Sequence, residues 1–332
     1  MKVLFIGGTG NISTAVSRLC VEKGIDLFLL NRGQRGVEIQ GAKTLQADIT
    51  QPDQVRKALG SEKFDSVVNW IAFVKAEVER DMELFTGRTQ QYIFISSASA
   101  YQKPVLNPVI TESTPLKNPF WEYSRNKIAC EERLNTAWRE KDFPITIVRP
   151  SLTYDKAIPA ALCGWNGYTL PDRMKKGKKI LVHGDGTSLW PITHSEDFAK
   201  GFVGLLGNPA ALGQAFHITT DELLNWDQIY QAIGDAVGVK PHLVHVSSEF
   251  ICKFDPDKVG SLLGDKSWSV IFDNSKIKSY VPEFKATIPF REGMKRAVEW
   301  MEADKSRITI KESDNEFVDK VIAAYEKLGA NG

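Results

Sequence analysis

Tyr123 and Lys127 stand four residues apart in Tyr-Ser-Arg-Asn-Lys, opening a stretch whose pattern predicts a helix to about Glu140. At that spacing both side chains project from one helix face. A free phenol has a pKa of about 10 and is a poor acid or base near neutrality. An ammonium beside it favours the phenolate and draws that value toward working pH. Ser97, in the run Ser96-Ser97-Ala98-Ser99-Ala100-Tyr101, is placed to hydrogen-bond the same substrate oxygen. Together the three would suit proton transfer at a hydroxyl or carbonyl. A Tyr-x-x-x-Lys pair alone arises by chance on any helix, so its meaning depends on what positions it.

The first 31 residues supply that context. Lys2–Ile6 is a short apolar run suited to a parallel strand buried on both faces. Ile12, Ala15, Val16, Leu19 and Cys20 then recur on one helical face. Gly24 stands at the C-cap position, and Leu27–Leu30 reads as a second strand. Between strand and helix lies Gly7-Gly8-Thr9-Gly10-Asn11-Ile12-Ser13. Gly7 permits the tight turn, and Gly10 lets the backbone approach a pyrophosphate with no Cβ in the way. The free N–H groups and positive end of the helix hold the anion. Ser13 stands in place of a third glycine. The strand–turn–helix setting makes this a dinucleotide site.

Strands and helices continue to alternate. Thr44–Asp48, Phe64–Trp70 and Tyr92–Ile95 read as strands, and Pro52–Leu59 and Val74–Thr86 as helices. This spacing predicts a doubly wound parallel α/β sheet of Rossmann type, with ligands outside the carboxyl ends of its strands. Ser97 is at one such end, and Asn69, Ile71 and Ala72 are at another. The second strand ends at Asn31-Arg32, where a dinucleotide's adenosine ribose is read. The acidic residue that would hold a 2′-hydroxyl is absent there, and Arg32, with Arg35 close behind, leans toward the 2′-phosphate of NADP over NAD. Asp48 has two readings, a hydrogen bond to the adenine edge or a cap for the next helix.

The 332 residues carry a formal net charge of +1, so nothing asks for nucleic acid or an anionic membrane. No apolar run is long enough to span a bilayer, and the first strand leaves no room for a signal peptide. Cys20, Cys130, Cys163 and Cys252 are widely spaced without a C-x-x-C pair, which predicts a reducing, cytoplasmic setting. His242 and His245 lie in an alternating, strand-like segment with no nearby cysteine, so no metal site is expected. Lys175-Lys176-Gly177-Lys178-Lys179 reads as a solvated loop. Trp165, Tyr168 and Trp190 could line an apolar pocket, though plain core is the favoured reading. Asn225 is an N-cap candidate, and helices are expected near Phe290–Glu302 and Asn315–Lys327.

The chain resembles the extended short-chain dehydrogenase/reductases, the group holding the NAD-dependent epimerases and dehydratases. The matching residues are Gly7-Gly8-Thr9-Gly10, Ile95 to Tyr101, Tyr123-x-x-x-Lys127, Arg149-Pro150, and Gly184-Asp185-Gly186 leading to His194-x-x-Asp197. The resemblance implies Tyr123 as general acid/base, Lys127 as ligand of the nicotinamide ribose, and Ser97 as the group orienting the substrate. It implies a dinucleotide lying along Gly7, Gly10, Asn11, Ile12, Asn31, Arg32, Asp48, Ile49, Asn69, Ile71, Ala72, Ile95, Tyr123, Lys127, Arg149 and Pro150. It also implies a homodimer packed through helices beside the sheet.

Departures from the family pattern narrow the substrate. Leu152 stands where sugar-nucleotide epimerases usually carry an Asn on the diphosphate, and Trp190 where they carry an Arg. Ala98-Ser99 replaces the Asp-Glu pair of the 4,6-dehydratases. A typical nucleoside-diphosphate sugar and that elimination chemistry are therefore not expected. Residues 1–153, with a return at 193–219, should form the dinucleotide-binding domain, and 154–192 with 220–332 a smaller α/β substrate domain. Two enzymatic branches stay open: an epimerase that retains its cofactor, and an NADP-dependent carbonyl reductase that releases it. The rival from another class is a non-catalytic sensor or RNA-binding protein, since the Asn31-Arg32-Gly33 turn also resembles a chloroplast RNA-binding branch.

Overall fold

A computed structural model describes residues 1–33, 36–163, 165 and 167–330. Arg35 lies outside the described residues. The core element is a seven-stranded sheet with strands β1 (Lys2–Ile6), β2 (Asp26–Asn31), β3 (Lys43–Gln46), β4 (Ser66–Asn69), β5 (Tyr92–Ile95), β6 (Ile145–Val148) and β7 (Ala215–Phe216). Their order is β7-β6-β5-β4-β1-β2-β3, and every neighbouring pair is parallel. Strands β1, β4, β5 and β6 are buried almost throughout, which explains their continuous apolar sequence. Helices α1 (Ser13–Glu22), α2 (Pro52–Leu59), α3 (Lys75–Phe85) and α4 (Glu122–Lys141) cross between the strands. One apolar cluster on each sheet face joins these helices to the strands, with Val16, Cys20 and Phe198 in one and Val55, Val78 and Cys130 in the other.

Strand order reverses at β1, which has β2 on one side and β4 on the other, so a crevice opens above their carboxyl ends. A third apolar cluster, containing Tyr154, Trp190, Trp226, Phe290 and Met294, lies in the later part of the chain. Short strand pairs surround it, among them Lys179–His183 parallel to His242–Val246. The expected strand at 44–48 runs one residue earlier and stops at Gln46. Strand β4 is shorter than expected, and Phe64 makes only an isolated bridge to Thr89. Asn225 caps the helix Trp226–Ala236 through Gln228 N–H, and the later helices span Phe290–Glu302 and Glu312–Ala330. The lysine run is a solvent-exposed turn at Lys176–Lys178, as expected, flanked by regular structure and ion-paired. It turns from the helix Thr169–Lys175 into a strand, and its lysines pair with Glu302, Asp172, Asp319 and Glu326. All four cysteines are buried free thiols. No described helix is long and apolar enough to cross a membrane, and no described cluster of His, Cys, Asp and Glu could hold a metal.

Candidate active site

The glycine turn is built for a close backbone approach. Gly7 and Gly8 have φ of +93° and +99°, a region strained for any L side chain. A Cβ on Gly7 would sit 3.3 Å from Ile71 Cγ2, and one on Gly8 would sit 2.7 Å from Leu29 Cδ2. Ser13 has a specific role here: its Oγ accepts from Gly10 N–H at 2.8 Å and folds the turn onto α1. Asn11 fastens the turn to the loop after β6, donating to Thr153 O at 2.8 Å and accepting from Asp155 N–H at 3.2 Å. The backbone N–H groups of Asn11 and Ile12 meet no acceptor among the described residues. Unsatisfied donors at a helix start, beside glycines that clear the approach, fit a pyrophosphate.

Two adjoining hollows share Gly7, Thr9 and Ile71. The first, about 470 Å³, is also lined by Asn31, Arg32, Gly33, Asp48, Ile49, Thr50 and Glu77. Asp48 does not cap α2. Its Oδ1 accepts from the N–H and hydroxyl of Thr50, at 2.9 and 2.8 Å, and these bonds hold its pKa below the usual carboxylate range. Asn31 Oδ1 accepts from Gly33 N–H, which orients the loop carrying Arg32.

The second hollow, about 400 Å³, brings Gly10, Asn11, Ile12, Ile95, Ser97, Tyr123, Lys127 and Pro150 together with Phe73, Leu152 and Trp165. Of the three aromatics singled out from sequence, only Trp165 lines it. Tyr168 and Trp190 are core, and Trp190 Nε1 donates to the carbonyls of Lys266 and Trp268. Phe73 went unnoticed in the sequence. Its place just beyond β4, at the switch point, was the available signal. Its ring lies 4.6 Å from Lys127 Nζ and 6.4 Å from the Tyr123 ring.

Lys127 is nearly buried, and its ammonium donates to Ala72 O at 2.6 Å and Ile95 O at 2.8 Å. Burial lowers its pKa to about 8. The expected effect of Lys127 on Tyr123 is not what this arrangement produces. Nζ lies 5.8 Å from the Tyr123 ring centroid and is turned to the two carbonyls. Burial, with the Trp121 ring 5.0 Å away, raises the Tyr123 pKa, while the Ser97 hydroxyl offsets part of that rise. Ser97 Oγ is within 2.9 Å of Ser99 Oγ, which also accepts from the buried Ser124 hydroxyl at 2.7 Å.

Three residues assigned to the cleft lie behind its wall. Arg149 is buried in a two-pronged pair with Glu131, at 2.9 and 2.6 Å. Its guanidinium also donates to Glu112 O at 3.2 Å and lies over the Tyr101 ring, and it lines neither hollow. Asn69 is fully buried, donates to Asp81 and accepts from Ile71 N–H at 2.7 Å. Ala72 presents only its carbonyl, to Lys127. They shape the wall without lining it.

The sheet order and glycine turn define a Rossmann fold of the short-chain dehydrogenase/reductase type. The chain belongs to the NAD dependent epimerase/dehydratase family, whose model matches residues 3–219. It is 25% identical to 2'-dehydrokanamycin reductase of Streptomyces kanamyceticus, over 86% of this chain and 80% of that one. It is 27% identical to the chloroplast stem-loop binding protein of 41 kDa b of Arabidopsis thaliana, over 74% of this chain and 65% of that one. Among solved structures, dTDP-glucose 4,6-dehydratase from Bacillus anthracis, in complex with NAD, superposes with a TM-score of 0.72. The two are 16% identical, over 92% of this chain and 98% of that one.

Proposed function

We propose that this protein transfers hydride at a hydroxyl or carbonyl carbon of a small, sugar-like substrate, using NAD or NADP and the Ser97, Tyr123 and Lys127 side chains. The observation that carries the reading is that these three side chains share one hollow with the glycine turn Gly7–Ser13. A bound dinucleotide would supply the hydride acceptor and donor at its nicotinamide. Tyr123 Oη would move the substrate proton, with Ser97 Oγ holding the same oxygen. Burial keeps Tyr123 protonated at neutral pH, the state that donates a proton to a carbonyl. Lys127, fixed by two carbonyls, would bind the nicotinamide ribose. Arg32 favours NADP at the ribose end.

Leu152 in the hollow and the core position of Trp190 leave no cation or amide at the two places discussed for a diphosphate, which argues against a typical nucleotide sugar. Residues 1–153 with 193–219 would hold the cofactor, and 154–192 with 220–332 the substrate. A homodimer through the helices beside the sheet, in a cytoplasmic setting, completes the proposal; sedimentation of the purified protein tests the dimer. A carbonyl reductase that releases its cofactor is the second reading, supported by the likeness to 2'-dehydrokanamycin reductase.

The test is to release any nucleotide from purified protein, identify it by mass, and titrate the stripped protein with NADPH and NADH. Retained dinucleotide supports an epimerase-like cycle, and reversible binding supports the reductase. Binding of neither overturns the proposal and moves the reading toward the RNA-binding relative, for which affinity should fall steeply with salt.

A further inference from the structure

Ser97 lines the second hollow, and two buried serines stand behind it. Ser97 caps the short turn Ala98–Ala100, its Oγ accepting from Ser99 N–H at 3.2 Å. Asn118 holds that turn in place by donating to Ser99 O at 2.9 Å. The turn brings Ser99 Oγ back to within 2.9 Å of Ser97 Oγ, where either hydroxyl could donate. Ser124, the residue after Tyr123 in α4, donates to Ser99 Oγ at 2.7 Å. Ser99 is 4% exposed and Ser124 fully buried, and neither lines the hollow.

The three hydroxyls have one direction that leaves no buried proton unpaired. Each has a single proton to give and can accept two. Ser124 gives its proton to Ser99 Oγ, the sole hydrogen-bond partner of its hydroxyl among the described residues. Ser99 then has Ser97 Oγ as the one remaining acceptor for its own proton. Were Ser97 to donate to Ser99 instead, the Ser99 proton would be buried with no acceptor, a costly arrangement. Ser97 Oγ therefore accepts twice, from the hydroxyl and the N–H of Ser99, and its own proton is left for the hollow. Hydrogen bonds in series polarise one another, so the bonds it accepts make Ser97 a stronger donor.

We propose that Ser99 and Ser124 are positioning residues that commit the Ser97 hydroxyl to donating into the hollow, so that the site selects a carbonyl oxygen over the corresponding alcohol. The inference rests on the functional reading above, which puts one substrate oxygen between Ser97 and Tyr123. Burial keeps a proton on Tyr123 as well. A carbonyl oxygen accepts both protons and brings none of its own. An alcohol brings a third proton to the same two contacts, and one of the three is left over. In the reaction so favoured, the carbonyl carbon takes hydride from a reduced dinucleotide and its oxygen takes the Tyr123 proton. Ser97 keeps its own proton, and the phenolate is reprotonated from water.

Neutron diffraction from the perdeuterated full-length protein, crystallised with the dinucleotide it binds, reads the direction of these bonds. The Ser99 deuteron should lie on the line to Ser97 Oγ, and the Ser97 deuteron off that line, in the hollow. A Ser97 deuteron directed at Ser99 Oγ overturns the proposal. Calorimetry in solution uses dihydroxyacetone and glycerol, which differ only in oxidation at the middle carbon. The ketone is titrated into the complex with oxidised dinucleotide and the alcohol into the complex with the reduced form, so that neither reacts. Ser99→Ala should weaken dihydroxyacetone binding about fivefold to tenfold, the effect of one neutral hydrogen bond, and leave glycerol binding unchanged. Ser99→Thr should restore the ketone affinity, and Ser124→Ala should give a smaller loss in the same direction. Equal weakening of both probes in Ser99→Ala, or of neither, overturns the positioning role. Failure of both probes to bind the wild type, with the deuterons placed as expected, counts against the functional reading and leaves the serine chain standing.

Discussion

Replacing Lys127 with methionine should abolish activity and also change how stability depends on pH. The folded-state pKa of Lys127 is lowered from 10.5 to about 8, because burial disfavours the ammonium. Below pH 8 both folded and unfolded states carry the proton, and the folded state bears a constant cost. Between pH 8 and 10.5 the unfolded chain binds more protons than the folded one, so stability rises with pH across that window. Lowering the Lys127 pKa from 10.5 to about 8 corresponds to about 3 kcal/mol. The bonds to Ala72 O and Ile95 O favour the charged form, so that figure is an upper bound. Lys127→Met cannot titrate. Urea unfolding followed by tryptophan fluorescence, from pH 7 to 10.5, should show wild type gaining up to about 3 kcal/mol on the variant above pH 8. Other titrating groups cancel in the difference. Parallel stability profiles across the window would refute the argument that burial depresses this lysine.

Four further outcomes follow from the same geometry. Tyr123→Phe should lower kcat about 10²- to 10⁴-fold while the dinucleotide Kd measured by fluorescence titration stays unchanged. Glu131→Gln leaves the Arg149 guanidinium buried without its counter-ion and should cost about 3–5 kcal/mol, read as a drop in Tm. Gly8→Ala places a methyl against Leu29 at φ +99° and should cost about 1–3 kcal/mol, with weakened dinucleotide binding in the same titration. Arg32→Ala should raise KM for NADPH about tenfold and leave KM for NADH unchanged, as expected for loss of one phosphate contact.

Local regularities carried much of this architecture in readable form. The β1–turn–α1–β2 unit, the bounds of α2 and β5, and the helix bearing Tyr123 and Lys127 all follow from periodicity and capping that neighbouring residues specify together. The glycine turn was legible because a strand ran into it and a helix out of it. Side-chain direction at the strand ends was not legible, because it depends on pairing across the sheet. Asn69, Ala72 and Arg149 have the right chain positions, yet Asp81, Lys127 and Glu131 draw their polar atoms behind the cleft wall. The lysine run was legible as an exposed loop, but its ion pairs were not, because three of the partners, Glu302, Asp319 and Glu326, are far along the chain. Spacing along the chain therefore decided which residues could form strands, helices and the cofactor turn. Tertiary packing decided which charges are buried together, because burial and counter-ions come from segments that sequence order keeps apart.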